Sequence, residues 1–140
     1  MSSQIKVRGF HIDVYQHVNN GRYMEFLEEA RWEFMDHTGF AEKIAALGLS
    51  MVVVNTNINY RRPAVIHDVL DLGIRVAKIG GKSAVFEQTV TRQKEGVTEM
   101  VVDATVTFCV MDPVAERLSR SKARSGPFLN RLQRKPGHES

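Results

Sequence analysis

The sequence predicts an α+β fold, one long helix set against a curled antiparallel sheet, and three observations carry that reading. A single stretch, residues 22 to 37, places apolar residues at helical spacing. One stretch before it and four after it alternate apolar and polar residues with a period of two. Between them stand the turn signals Gly48, Gly80-Gly81, Glu95-Gly96 and Asp112-Pro113.

Each element follows from local pattern. Residues 4 to 9, with Ile5 and Val7 on one side, read as a first strand. Residues 11 to 20 are polar and irregular, a loop ending in two asparagines. In the helix, Tyr23, Phe26, Leu27, Ala30 and Phe34 share a face, while Glu25, Glu28, Glu29, Glu33 and Asp36 fall mostly elsewhere. Asn19 or Asn20 is the expected N-cap and Gly39 the expected stop. Residues 40 to 47 suggest a short second helix closed by Gly48. Strands are then expected over residues 49–62, 69–79, 82–93 and 99–111. In the last, Met100, Val102, Ala104, Val106, Phe108 and Val110 form the apolar face. One helix cannot cover five strands, so a strand face or edge is expected to be buried by a second copy of the chain.

At 140 residues the chain is one domain's worth. Its charge divides unevenly. Residues 1–116 hold 12 Lys and Arg against 15 Asp and Glu, a net −3, and residues 117–140 carry +6. The expected organisation is therefore a folded domain over 1–116 and a basic tail over 117–140 that helps solubility; no aromatic interleaving or nucleic-acid motif accompanies the tail. Cys109 is the single cysteine, which excludes an internal disulfide. The first residues lack the apolar core of a signal peptide, and no apolar run approaches the ~20 residues that span a bilayer. A cytoplasmic protein without a membrane span is expected.

The usual nucleophile arrangements are missing. There is no Gly-x-Ser-x-Gly and no phosphate-binding glycine loop, and Cys109 sits in a strand that reads as core. His11 and His17 are six apart on an irregular loop without cysteine or paired carboxylates, so neither a metal nor a cofactor is expected. The loop before the helix differs. Asp13, His17, Asn19 and Asn20 are concentrated where the helix begins, and Gly21 offers room for a substrate carbonyl. The first N–H groups of a helix lack intrahelical acceptors and carry roughly half a positive charge, so that end stabilises an oxyanion. The same spacing is equally explained by a cap at Asn20, a turn at Asp13 and packing of His17.

The segment Asp13-Val14-Tyr15-Gln16-His17-Val18-Asn19-Asn20, followed by Tyr23 and Glu28-Glu29-Ala30-Arg31, resembles the signature of the 4-hydroxybenzoyl-CoA thioesterase-like branch of the hotdog superfamily. Asn57 to Ala64, containing Tyr60-Arg61-Arg62-Pro63, resembles that family's next strand, and Gly80-Gly81-Lys82-Ser83 its following turn. The likeness covers residues 4 to about 111. One departure is Gln16, where several members have glycine.

The resemblance implies a hotdog fold, an antiparallel sheet wrapped around one long helix, assembled as dimers or tetramers with active sites at the dimer interface. It implies hydrolysis of an acyl-CoA substrate, with Asp13 as base or nucleophile and the backbone N–H of Asn20 or Gly21 as oxyanion donor. His17 joins the loop or the substrate. Tyr23, Arg61, Arg62, Lys82 and Ser83 are the expected substrate-binding residues, the cationic ones meeting the phosphates of coenzyme A. Phe26, Phe34, Met24, Met35 and Met51 are candidates for an acyl slot. The rival readings are a hotdog hydratase or dehydratase and a non-catalytic acyl-CoA-binding module that would not need Asp13.

Overall fold

The computed structural model describes residues 2–114; the basic tail lies outside the described residues. In chain order the elements are β1 (Ser2–Lys6), a 3₁₀ turn (Gly9–His11), α1 (Asn20–Thr38), α2 (Phe40–Ala46), β2 (Ser50–Tyr60), β3 (Val69–Ile79), β4 (Ser83–Lys94) and β5 (Val97–Met111). The strands form one antiparallel sheet in the order β1-β3-β4-β5-β2.

That order explains the helix. β1 and β2 lie on opposite edges, so the chain between them must cross the whole sheet. Four inter-strand spacings are about 19 Å. The 19 residues of α1 give about 28 Å, enough to make the crossing in one element. Tyr23, Phe26, Leu27, Ala30 and Met35 are its buried face. Phe34, expected on that face, is only half-buried, and its ring meets Phe86 edge-on at 5.4 Å.

The ends of α1 follow local chemistry. Asn19 is the N-cap, its side chain accepting the Gly21 N–H at 2.8 Å, while Asn20 is already helical. Gly39 ends the helix at φ 72°, a left-handed conformation that glycine adopts without the clash a Cβ brings.

The core has two parts. Val7, Tyr23, Phe26, Leu27, Leu70, Val90 and Val102 belong to the cluster at the start of α1. Ile74, Phe86, Val106 and Phe108 form a second cluster, with Phe34 and Phe40 packed against it. Gln88 is the buried polar residue between strand and helix: its amide donates to the Leu27 carbonyl at 2.9 Å and accepts from Arg31 at 3.0 Å.

Three details differ from the sequence reading. The first strand ends at Lys6, and Gly9 opens the 3₁₀ turn instead. In β2 the register shifts between Val53 and Asn55, which breaks the alternation expected there. In β5 the register shifts opposite Val90 and Thr91, so Val101 and Val102 are both fully buried. β2 is an edge strand with Val52, Val53 and Val54 exposed, the uncovered edge expected from one helix on five strands.

Candidate active site

The loop before α1 closes on itself. The Asp13 N–H donates to the His17 carbonyl at 2.9 Å, and the Gln16 N–H to the Asp13 carbonyl at 3.0 Å. Ile12 and Val18 bridge as an antiparallel pair beneath it. The turn requires a left-handed residue, which is Gln16 at φ 63°. This is the position where several members of the resembled family have glycine, and a left-handed conformation costs a side-chain-bearing residue about 1–2 kcal/mol.

Within this loop the Asp13 carboxylate is half held. Oδ1 accepts the Tyr15 N–H at 2.9 Å, and among the described residues Oδ2 has no donor. Asp13 is half-buried, and His17 is exposed. Both border an open cleft of about 660 Å³ with Asn20, Tyr23, Tyr60, Arg61 and Arg62.

The start of α1 forms one wall. The Gly21 N–H is taken by the Asn19 side chain, which removes it as a ready oxyanion donor. A Cβ on Gly21 would stand 3.2 Å from that same oxygen, so the glycine makes room for the cap. The Asn20 N–H meets no acceptor among the described residues and is the donor this helix end offers.

Tyr23 is 2% exposed, yet it borders the cleft, and its hydroxyl has no hydrogen-bond partner among the described residues. Burial raises its pKa; the Ala64 backbone lies near enough to lower it in part but falls short of hydrogen-bond geometry. A neutral phenol is therefore left with an unused donor beside the cleft.

The opposite wall is the end of β2. The Val101 carbonyl, one step beyond the Tyr60–Val102 pair, accepts both the Arg61 and the Arg62 N–H, at 2.8 and 3.2 Å. Arg61 Nε donates to Asp103 Oδ2 at 2.6 Å, and Asn59 donates to Oδ1 at 2.8 Å. These bonds, Arg61's first, lower the Asp103 pKa. Arg62 donates to the Met100 carbonyl at 2.9 Å. Both arginines are held in place, and the Nη groups of Arg61 have no acceptor among the described residues.

The structure thus brings Asp13, His17, Asn20, Tyr23, Arg61 and Arg62 together. It does not bring Lys82 and Ser83: they border a different cavity, near the end of α1. Nor are the acyl-slot candidates gathered: Met35 and Met51 border a groove beside Trp32, Phe34 the cavity near Lys82, Phe26 is core and Met24 is exposed. Tyr60, its ring tilted against that of Tyr23 with centroids 5.8 Å apart, is a cleft residue not among the expected site residues. Its position just before Arg61-Arg62-Pro63 was the available signal. No cluster of three or more metal-ligating side chains occurs among the described residues, and none of their helices is long and apolar enough to cross a membrane.

Comparison with known proteins agrees with this architecture. The chain is 49% identical over 112 residues to the long-chain acyl-CoA thioesterase FadM of Escherichia coli K12, covering 80% of this chain and 83% of that protein. The crystal structure of YbaW, a probable thioesterase from Escherichia coli, superposes with a TM-score of 0.75 at 49% identity, over 81% of this chain and 84% of that one. The 4-hydroxybenzoyl CoA thioesterase of Pseudomonas sp. strain CBS-3 shares the fold at 19% identity and a TM-score of 0.71, over 79% and 83%. The family described as the thioesterase-like superfamily matches residues 7–128. The chain belongs to that superfamily, as an enzyme of the hotdog fold.

Proposed function

We propose that the cleft hydrolyses acyl-CoA thioesters, those of long fatty chains included, with Asp13 as the acting carboxylate. The observation that carries this reading is the half-held Asp13 side chain: one oxygen is fixed by the Tyr15 N–H, and the other is left for water or a thioester carbonyl. The named activity of FadM, at 49% identity, supports the substrate class.

In the general-base form, Asp13 takes a proton from water as the water oxygen attacks the thioester carbon. The carbonyl electrons move onto oxygen beside the Asn20 N–H. When they return, the C–S bond breaks and the thiolate leaves, taking up the proton. In the covalent form, Asp13 itself attacks the thioester carbon, the C–S bond breaks as the thiolate leaves, and water cleaves the resulting mixed anhydride, regenerating the carboxylate and supplying the thiolate's proton. Oxyanion donors contribute about 10²–10³-fold each and a general base about 10²–10⁴-fold, together enough for an activated acyl donor such as a thioester. Arg61 and Arg62 offer guanidinium groups to the phosphates of coenzyme A at the cleft wall, and Tyr23 offers its unused hydroxyl to the substrate.

The active form is a dimer or larger homo-oligomer. The open β2 edge, with Val52 to Val54 exposed, runs directly into the cleft at Tyr60, so a copy covering that edge would also border the site. Lys82 and Ser83 then reach the substrate from another copy. The single cysteine fits a cytoplasmic enzyme.

The test is thiol release from short, aromatic and long-chain acyl-CoA, with wild type beside Asp13→Asn. Turnover of long chains with a strongly impaired variant upholds the reading. Binding without turnover replaces it with an acyl-CoA-binding module, and hydration or dehydration of the chain replaces it with the other hotdog chemistry. Label in the Asp13 carboxylate after single turnover in ¹⁸O-water would establish the covalent route, since the general-base route leaves none there.

A further inference from the structure

Phe86, Gln88 and Val90 are the buried alternate residues of β4, on the side of the sheet that meets α1, and Arg92 continues that series. The pattern calls for an apolar residue there, and the chain places a guanidinium instead. Its side chain is 12% exposed and lies against residues 61–68, the strap between β2 and β3.

A cation so nearly buried needs partners, and this one has three. Nη1 donates to the Pro63 carbonyl and to Asp68 Oδ2, each at 2.9 Å, and Nε donates to Glu99 Oε1 at 2.9 Å. Glu99 stands directly opposite Arg92 in the β4–β5 pair.

Each acceptor leads to the cleft, although Arg92 itself does not border it. Pro63 does border it, beside Arg61 and Arg62. Asp68 Oδ2 also accepts the Val65 N–H at 3.0 Å, which closes the end of the strap. The other oxygen of Glu99 is 3.9 Å from Arg62 Nε, so one carboxylate bridges Arg92 and Arg62. Between Pro63 and Val65, the Ala64 carbonyl accepts the Val18 N–H at 2.9 Å and joins the strap to the Asp13 loop.

We propose that Arg92 is a positioning residue for the substrate. Through Pro63 and Asp68 it fixes the strap, and through Glu99 it fixes Arg62, so that the guanidinium groups of the cleft wall stand where the phosphates of coenzyme A arrive. The inference rests on the reading of Arg61 and Arg62 as coenzyme A contacts. Asp13 is held separately, by the Tyr15 N–H and the His17 carbonyl within its own loop, so the chemical step does not pass through Arg92. Lysine at this position would keep the charge but not the planar fork that serves three acceptors at once.

The experiment compares thiol release from an acyl-CoA and from the same acyl group on pantetheine, which lacks the phosphates. Wild type, Arg92→Gln and Arg92→Lys are measured side by side. Arg92→Gln should raise KM for acyl-CoA about tenfold and leave kcat within about threefold, with Arg92→Lys in between. The pantetheine ester should show kcat/KM within about twofold of wild type in both variants. Should Arg92→Gln fail to fold, Arg92→Lys carries the comparison alone.

An unchanged KM overturns the proposal, as does a loss in kcat that matches the rise in KM, or an equal loss on both esters, which a purely structural role would give. The proposed function fails by a different result. If wild type hydrolyses neither ester, calorimetric titration with coenzyme A decides: weaker binding in the variants upholds the positioning role without the hydrolysis, and equal or absent binding overturns it. Hydrolysis by wild type with an unchanged KM in the variants sinks this inference alone.

Discussion

The backbone carbonyl of His11 accepts the N–H of Asn19 at 2.9 Å, which ties the 3₁₀ turn to the cap of α1 across the Asp13 loop. His11 is held there by its ring. Nδ1 accepts the Arg8 N–H at 2.9 Å, and the ring lies edge-on to Phe26 at 5.2 Å. It is a positioning residue that sequence reading treated only as a poor metal ligand.

Burial first, then Arg22 and Arg8, lower the His11 pKa, with Glu25 acting in the opposite sense. A lowered histidine pKa means that the folded state prefers the neutral ring. Its contribution to stability is complete above the ordinary value of 6.5 and is lost as pH falls from there through the lowered folded value. Thermal unfolding between pH 8 and 5 should therefore show a decline below about pH 6.5 that is shallower in His11→Gln, which keeps an acceptor but does not titrate. Equal slopes in the two proteins would remove His11 as the cause.

Asp13→Asn should lower kcat for acyl-CoA hydrolysis by about 10²–10⁴-fold. The amide oxygen still accepts the Tyr15 N–H, so the loop should keep its shape and the stability change should stay within about 0.5 kcal/mol. Near-normal turnover in a folded variant would take the chemistry away from Asp13.

Gln16 carries left-handed strain at φ 63°. Gln16→Gly relieves it but adds unfolded-state entropy of about 0.5–1 kcal/mol, so the net effect should be neutral to about 1 kcal/mol stabilising. Gln16→Val, β-branched at the same φ, should destabilise by about 1–3 kcal/mol. Urea unfolding of the pair measures both, and a Val variant as stable as the Gly variant would show that the loop had changed conformation.

Gln88 satisfies two groups at once, the Leu27 carbonyl and the half-buried Arg31 guanidinium. Gln88→Leu leaves Arg31 without its acceptor and should cost about 1–3 kcal/mol in chemical denaturation. Gln88→Glu keeps an acceptor for Arg31 but loses the donor to Leu27, and should also destabilise. If Leu is tolerated without loss, Arg31 turns outward to solvent.

The elements were legible because their causes are local. Helical spacing placed α1 within two residues, and Gly39, Gly48 and Gly80-Gly81 stopped elements where their backbone freedom or turn propensity acts. Strand β3 matched its expected range, residues 69–79, because turn signals bound it on both sides. The Asp13 loop, its helix and the Arg61-Arg62 strand end were also readable as candidates, since each carries its chemistry in a short run of sequence.

What the sequence by itself determined, then, is the set of strands and helices, the polar loop ahead of the long helix and the uneven charge, all consequences of neighbouring residues. Only the tertiary structure decided that β2 lies on the far edge, that the Val101 carbonyl meets two arginine N–H groups, that Asn19 occupies the Gly21 N–H, and that Lys82 and Ser83 stand at another cavity. Each of these depends on which strand pairs with which, in what register, and on what side chain arrives from a distant part of the chain; periodicity in a single segment holds no record of its partners.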